Sequence, residues 1–351
     1  MYGDLDRTVQ GEKHVKGLHH ITLVTKNYQT NHRFYTEVMG LRQVKLSVNQ
    51  DDIYHRHAFY ANPEKTTGST ITFFEWPHLP HGRPGLGSPH HLAYGVKTIE
   101  ELARWSRWLE ENGVKTVGPK TYRGLVSIYL HDPDNVLLEL AAPVKDADIG
   151  YIAELFQNTE TPERIDDMMK LMFFDHATPI ATDPWLTRKF LEKFLGITDF
   201  EVIPGNGEKT LLEAMHEGWA YLRYSASLSA DTGSVGRGSI HHIALTVETE
   251  QEQRAIMKKL NTAYIPNSGI VDRHWFKSLY FRDPDGNLLE IATMGPGYEV
   301  DEPREKLGTK LILPPWLEPL RSTIEARLAQ QDIENPAKMP LTYTAPDQTE
   351  P

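Results

Sequence analysis

The chain has 351 residues, 39% hydrophobic and 24% charged, with a formal net charge of -11 and no cysteine. That length allows two or more domains with cores of their own, and the acidic balance without clustered Lys and Arg excludes a nucleic-acid surface. The missing thiols exclude disulfides, thiolate metal sites and cysteine nucleophiles, so any metal must be held by histidine and carboxylate. No apolar run approaches the roughly 18 residues of a membrane span, and the start MYGDLDRTVQGEKH has no apolar signal-peptide core. A cytoplasmic protein acting on a small molecule is expected, with neither nucleic acid nor membrane as partner.

In chain order, four strand-like runs begin alike: HHITLVT at 19, HHLAYGV at 90, DHATPIAT at 175 and HHIALTV at 241. Each precedes a stretch of helical period, marked by Phe34, Tyr35, Val38 and Met39, by Leu102, Trp105 and Leu109, by Leu186, Phe190 and Phe194, and by Ile256, Met257 and Leu260. β-rich runs follow, as in LVSIYLHDP then NVLLELAAP, and SLYFRDP then NLLEIAT, with tight turns at DPDN (132–135) and DPDG (283–286). The repeating unit is a strand, a helix and about three strands. The Gly-rich segments HGRPGLGS (81–88) and DTGSVGRGS (231–239) read as flexible linkers between units.

The expected fold is therefore α+β, with four βαβββ modules in two halves that form open β-barrel-like cups. A first domain covers 17–144, a linker with a bridging helix 145–171, a second domain 172–296, and a C-terminal tail 297–351. In the tail, Trp316, Leu320, Ile324 and Leu328 recur four apart and predict an amphipathic helix that braces the core.

Alternation along a strand puts His20 on one face with Thr22 and Val24, and His19 on the other. His19 and His241 then face away from any ligand set. Glu290 lies in an apolar strand, where a lone charge needs an ion pair or a metal. His91 and Glu139 are 48 residues apart, as are His242 and Glu290, and the first strand of unit one or three adds His20 or His176. A lone strand histidine is usually a hydrogen-bonded core residue; the repeated pairing favours a metal. Two histidines and one carboxylate leave positions open for both substrate and O2, which suits non-haem Fe(II). Glu75 reads as solvated or salt-bridged, and the histidines of HRH (55–57) and HLPH (78–81) as surface or loop residues.

The modules opened by HHI runs resemble the vicinal oxygen chelate superfamily of glyoxalases, extradiol dioxygenases and antibiotic-binding proteins. VDRHWFKSLYFRDPDGNLLEIATMGPGY (271–298) and DEPREKLGTKLILPPWLE (301–318), with GLHHITLVTKN and GLRQVK near the start, look like its hydroquinone-type ring-cleaving dioxygenases. That resemblance implies His20, His242 and Glu290 as ligands of Fe(II), with Mn(II) as an alternative. It also implies Thr22, His241 and Arg273 around them and Tyr280 near a small aromatic substrate that reacts with O2. The superfamily's catechol dioxygenases would instead take His176, His242 and Glu290, and His91, His176 and Glu139 could form a further set. The expected activity is non-haem Fe(II), extradiol-type ring cleavage of a hydroquinone or catechol. A glyoxalase-like metal-dependent isomerase or lyase, or an aromatic-compound binding or resistance protein, is the alternative. A homo-oligomer is compatible with the sequence. The open question is pairing: units one and four bring His20 to His242, whereas units three and four bring His176.

Overall fold

A computed structural model describes residues 15–62, 64–122, 124–145, 148–204, 210–216 and 219–337. The polar start (1–14) and the last part of the expected tail (338–351) lie outside the described residues.

Module one comprises β1 (Leu18–Thr25), α1 (Tyr28–Arg33), β2 (Arg42–Asn49), β3 (Asp52–Ala61) and β4 (Thr70–Glu75). Module two comprises β5 (His91–Gly95), α2 (Ile99–Glu111), β6 (Thr116–Tyr122), β7 (Leu125–His131) and β8 (Leu137–Pro143), and α3 (Ile149–Asn158) follows it. Module three has β9 (Phe173–Thr178), a short β10 (Ile180–Ala181), α4 (Pro184–Phe190), β11 (Phe200–Pro204), β12 (Thr210–His216) and β13 (Trp219–Ala226). Module four has β14 (Ser239–Val247), α5 (Glu250–Thr262), β15 (Asn267–Asp272), β16 (Lys277–Arg282) and β17 (Leu288–Thr293), and α6 (Arg321–Glu334) lies in the tail.

Local chemistry sets the helix starts. Asn27, Thr98 and Asp183 each accept a backbone N–H at an N-terminus, and Thr249 and Glu252 satisfy each other's backbone in a capping box. Apolar stripes then bury against the sheets: Leu102, Trp105 and Leu109 are fully buried, as are Ile256 and Leu260. α1 and α4 each continue into a turn of π-helix, at Phe34–Val38 and Leu191–Leu195. Leu191 and Leu195 in the second of these turns are buried, whereas the expected core residue Leu186, in the first turn of α4, is half-exposed.

Among the described residues the strands form two curled sheets, ordered β15-β16-β17-β14-β1-β4-β3-β2 and β11-β12-β13-β9-β5-β8-β7-β6. β1 runs antiparallel to β14, and β5 antiparallel to β9. Modules one and four therefore share one sheet, and modules two and three the other. One hydrophobic core draws residues from both sheets.

The two Gly-rich segments are zipped to each other rather than independent. Arg83 N donates to Ser234 O (2.8 Å) and Ser234 N to Arg83 O (2.9 Å), with Leu86 N to Asp231 O (2.9 Å) and Gly233 N to Leu86 O (3.0 Å) alongside. Glycine is required for that approach: a Cβ on Gly85 would stand 2.4 Å from Gly233 N.

The tail helix also starts later than its periodicity predicts. Pro314, Pro315 and Pro319 break the backbone ladder, so Trp316 and Leu320 precede α6 and are half-exposed. Ile324 and Leu328 are buried with Val48, Leu313 and Leu317.

Candidate metal and active site

β1, β14 and β17 lie side by side in their sheet, and that adjacency assembles the first cluster. Strand pairing places Thr22 opposite His242 and Ala244 beside Glu290, so His20, His242 and Glu290 share one side. All three are buried, and their ligand atoms lie within 4.8 Å of one another. His242 Nε2 is 3.0 Å and His20 Nε2 3.3 Å from Glu290 Oε2, and the two nitrogens are 3.4 Å apart. Ser278 Oγ donates to the other oxygen, Oε1, at 2.6 Å. Glu290 Oε2 faces both imidazoles at these distances without a well-formed hydrogen bond from either. Burial pushes the Glu290 carboxyl up, but the His20 and His242 imidazoles outweigh burial and hold it well below the ordinary carboxylate range. Burial likewise lowers His242 despite the Glu290 charge.

The preceding histidines orient the pair. His19 Nδ1 is 2.8 Å from His20 Nδ1, and His241 Nδ1 is 2.8 Å from His242 Nδ1. Each contact engages Nδ1 and aims Nε2 at Glu290, as the outer partners of metal-binding histidines do. A cleft of about 380 Å³, counting space open to solvent, lies over the cluster and is lined by Asn49, Asp51, His57, Arg273, Trp275 and Tyr280 among others. Tyr280 packs 5.5 Å from the His242 ring, with the Arg273 guanidinium 5.4 Å over its own ring. Arg273 is clamped to Asp51 at 3.1 and 2.7 Å.

A model of the Glyoxalase/Bleomycin resistance protein/Dioxygenase superfamily matches residues 17–140 and 173–291. The chain belongs to this superfamily. It is 33% identical to "Putative ring-cleaving dioxygenase MhqA" of Bacillus subtilis (strain 168), over 90% of this chain and 98% of the relative. It is 24% identical to the "Chlorohydroquinone/hydroquinone 1,2-dioxygenase" of Sphingobium indicum, over 90% of this chain and 97% of that protein. Among solved structures, a "putative dioxygenase" from Bacillus subtilis superposes with a TM-score of 0.76 at 29% identity, covering 90% of this chain and 97% of that one. Glyoxalase I from Zea mays shares the fold, with a TM-score of 0.57 at 17% identity over 79% of this chain and 92% of that one.

As a superfamily member, the chain repeats its cluster in the second sheet. His91, Glu139 and His176 are buried with ligand atoms within 4.8 Å, so His176 joins His91 and stays apart from His242. Thr22 Oγ1 lies 2.8 Å from Thr72 Oγ1, which is 2.8 Å from His57 Nε2. His57 corrects the reading of HRH as surface: it sits on β3, and burial, then the His20 and His242 charges, push it well below the usual imidazole range. Alternation along β3 carries the signal, since His57 and Phe59 share a face. His55 is partly exposed and pairs with Asp52 at 2.7 Å, while His78 and His81 are exposed loop residues. Glu75 is buried against Arg56 at 2.9 Å and belongs to no cluster among the described residues.

Proposed function

We propose that this chain uses O2 to open the ring of a dihydroxylated aromatic, hydroquinones before catechols, at an Fe(II) held by His20, His242 and Glu290. The observation that carries the reading is the convergence of two buried imidazole nitrogens on one buried carboxylate oxygen that lacks a well-formed hydrogen bond. Such an atom is costly without a cation. Separations of 3.0, 3.3 and 3.4 Å suit donors that each lie about 2.1 Å from one ion. Two imidazoles and one carboxylate are the donor set of non-haem Fe(II) oxygenases, and Mn(II) accepts the same groups. Bound there, the metal would supply the redox and Lewis-acid chemistry that couples an electron-rich ring to O2.

The side chains around the cluster supply the remainder. Phe59, Phe74, Trp275 and Phe276 give the cleft flat apolar walls for an aromatic ring. Burial and the Glu290 charge keep Tyr280 protonated, so it enters the cleft as a donor. Arg273 keeps its charge and favours the phenolate form of a substrate hydroxyl. His57 is held neutral with Nε2 2.8 Å from Thr72 Oγ1, and it lines the cleft as a hydrogen-bonding group for a substrate hydroxyl. His241 touches His242 and Phe74 from behind and does not itself line the cleft, so its role is to position a ligand. The names of the Bacillus and Sphingobium relatives support ring cleavage and, in the second case, a hydroquinone.

The test is oxygen consumption by Fe(II)-loaded protein with hydroquinone, chlorohydroquinone and catechol. One O2 consumed per ring opened, fastest with a hydroquinone and abolished by metal removal, is expected. No uptake across the panel, or uptake indifferent to metal, overturns the reading.

A further inference from the structure

We propose that Arg223 is the built-in cation of the second His–Glu–His cluster, which takes no divalent metal in the native chain and becomes a metal site once that guanidinium is removed. The inference concerns a cluster that the proposed reaction does not use.

The donor atoms alone do not distinguish the two clusters. His91 Nε2 lies 3.0 Å and His176 Nε2 3.4 Å from Glu139 Oε2, and Ser127 Oγ donates to Glu139 Oε1 at 2.5 Å, as Ser278 does to Glu290. The difference lies in what else meets those atoms. His91 Nε2 makes a well-formed hydrogen bond to Glu139 Oε2, with Thr178 Oγ1 3.3 Å away. Arg223 Nη1 is 3.1 Å from His176 Nε2, and Asp175 Oδ1 is 2.6 Å from His176 Nδ1. A carboxylate only accepts, so His176 donates from Nδ1, and a guanidinium only donates, so in its contact with Arg223 the His176 Nε2 is the acceptor. The guanidinium has no acceptor and stays charged, so it consumes the one lone pair that a metal would need. Glu139 Oε2 also has, from His91, the well-formed hydrogen bond that Glu290 Oε2 lacks.

The register shows where the two clusters diverged. β1 pairs with β4 through Ile21 and Ile71, and β9 with β13 through Ala177 and Leu222. His20 and His176 precede those paired residues by one, and Thr72 and Arg223 follow them by one. Arg223 thus occupies the position of Thr72. Its cross-strand partner Glu213 occupies that of Phe59, and Arg223 Nε donates to Glu213 Oε1 at 2.6 Å. At the first cluster Phe59 is an apolar wall of the cleft, and the short Thr72 hydroxyl is turned to Thr22 and His57. At the second, a buried ion pair fills the matching space and brings a fixed positive charge against the ligand nitrogen. A divalent cation would have to enter beside that charge and displace it from His176.

Equilibrium dialysis of metal-free protein against Mn(II), with manganese counted per chain, tests this. The native chain is expected to bind one equivalent, lost in His242→Ala and kept in His176→Ala. The double variant Arg223→Met with Glu213→Gln, which removes the ion pair as a unit, is expected to bind two, and adding His176→Ala returns it to one. A native chain that holds a His176-dependent equivalent overturns the proposal, and that arm requires no change at Arg223. A double variant with native-like circular dichroism and a cooperative melt that stays at the native count also overturns it. Should the first cluster hold no manganese, the proposed function fails separately, while removal of Arg223 is still read as a gain from zero to one.

Discussion

The two clusters carry the same three side chains on matching strands, yet one is left with an unsatisfied carboxylate oxygen beneath a cleft and the other is closed by protein hydrogen bonds. The triplet supplies donors, and the neighbours decide whether those donors are available. Glu290 has two imidazoles facing it and no guanidinium at the position of Thr72, so its charge awaits a cation from outside. The Arg223 charge serves both Glu139 and Glu213.

The widest separation between the clusters is expected from their carboxylates. Glu290→Gln or His242→Ala should remove bound iron and lower turnover by at least about a hundredfold while the fold persists. Glu139→Gln should do the reverse, keeping iron and turnover within about threefold but destabilising the chain by about 1–3 kcal/mol, since it disturbs the buried hydrogen bonds from His91 and Ser127. Iron content, steady-state oxygen uptake and urea unfolding on the three variants read both halves. Equal loss of turnover in Glu139→Gln and Glu290→Gln would erase the distinction.

The histidines of modules one and three sharpen the point. His20→Ala is expected to lose metal and activity, and His176→Ala to keep both while lowering the melting temperature. The strand pairing of β1 with β14 is the ground for this order, because it brings His20 to His242 and leaves His176 with His91. Loss of activity in His176→Ala alone would contradict it.

How much of this could be read from residues alone follows from where each signal lies. The doubled histidines and the 48-residue His-to-Glu interval are local patterns repeated along the chain, so the modules and both triplets were legible. The two-sheet pairing was legible only as a choice between alternatives, since antiparallel contact between β1 and β14 joins segments more than two hundred residues apart. Arg223 was not legible. YLRYSA reads as an ordinary strand, and the one hint is a charge in it matched by Glu213 ten residues earlier. Nor do HGRPGLGS and DTGSVGRGS announce that their glycines permit a backbone zipper in place of freedom. His57 is not legible either, because the local context of HRH gives no ligand geometry until β3 is set beside β4.

The tail gives a smaller contrast, because it braces module one directly. Arg56 Nη2 donates to Leu328 O at 3.2 Å and to Asp332 at 2.7 Å, and Lys45 Nζ reaches Tyr298 O at 3.0 Å and Glu302 at 2.5 Å. Ile324→Ala should cost about 2–4 kcal/mol through the cavity it leaves among Val48, Leu313, Leu317 and Leu328. Iron content should stay at the native level when the variant is loaded below its melting temperature. An unchanged melting temperature would show that α6 is not docked in solution.

The smallest expected effect comes from Asp283, in the comparison of the DPD turns of modules two and four. Asp132 and Asp283 each accept backbone N–H groups two and four residues on, and each takes a tyrosine hydroxyl, from Tyr35 at 3.1 Å and Tyr224 at 3.0 Å. Burial raises both carboxyls above the ordinary value of 3.8, Asp283 to about 6, and Asp132 to about 8 with Asp134 adding to the rise. A folded value above the unfolded one means that the folded chain binds the proton more tightly. The stability from this source is fully present below 3.8 and is lost as pH rises through about 6 for Asp283. Asp283→Asn keeps an acceptor and removes the titration, so the stability of the native chain minus that of the variant should fall by on the order of 2–3 kcal/mol across that window. For Asp132→Asn the fall should continue to about 8. Urea unfolding at fixed ionic strength, at half-unit steps of pH, measures both differences. A flat difference for Asp283→Asn would mean that its two backbone donors and the Tyr224 hydroxyl, with Asn287 Nδ2 at 2.9 Å as a fourth, hold the carboxylate as an anion despite its burial.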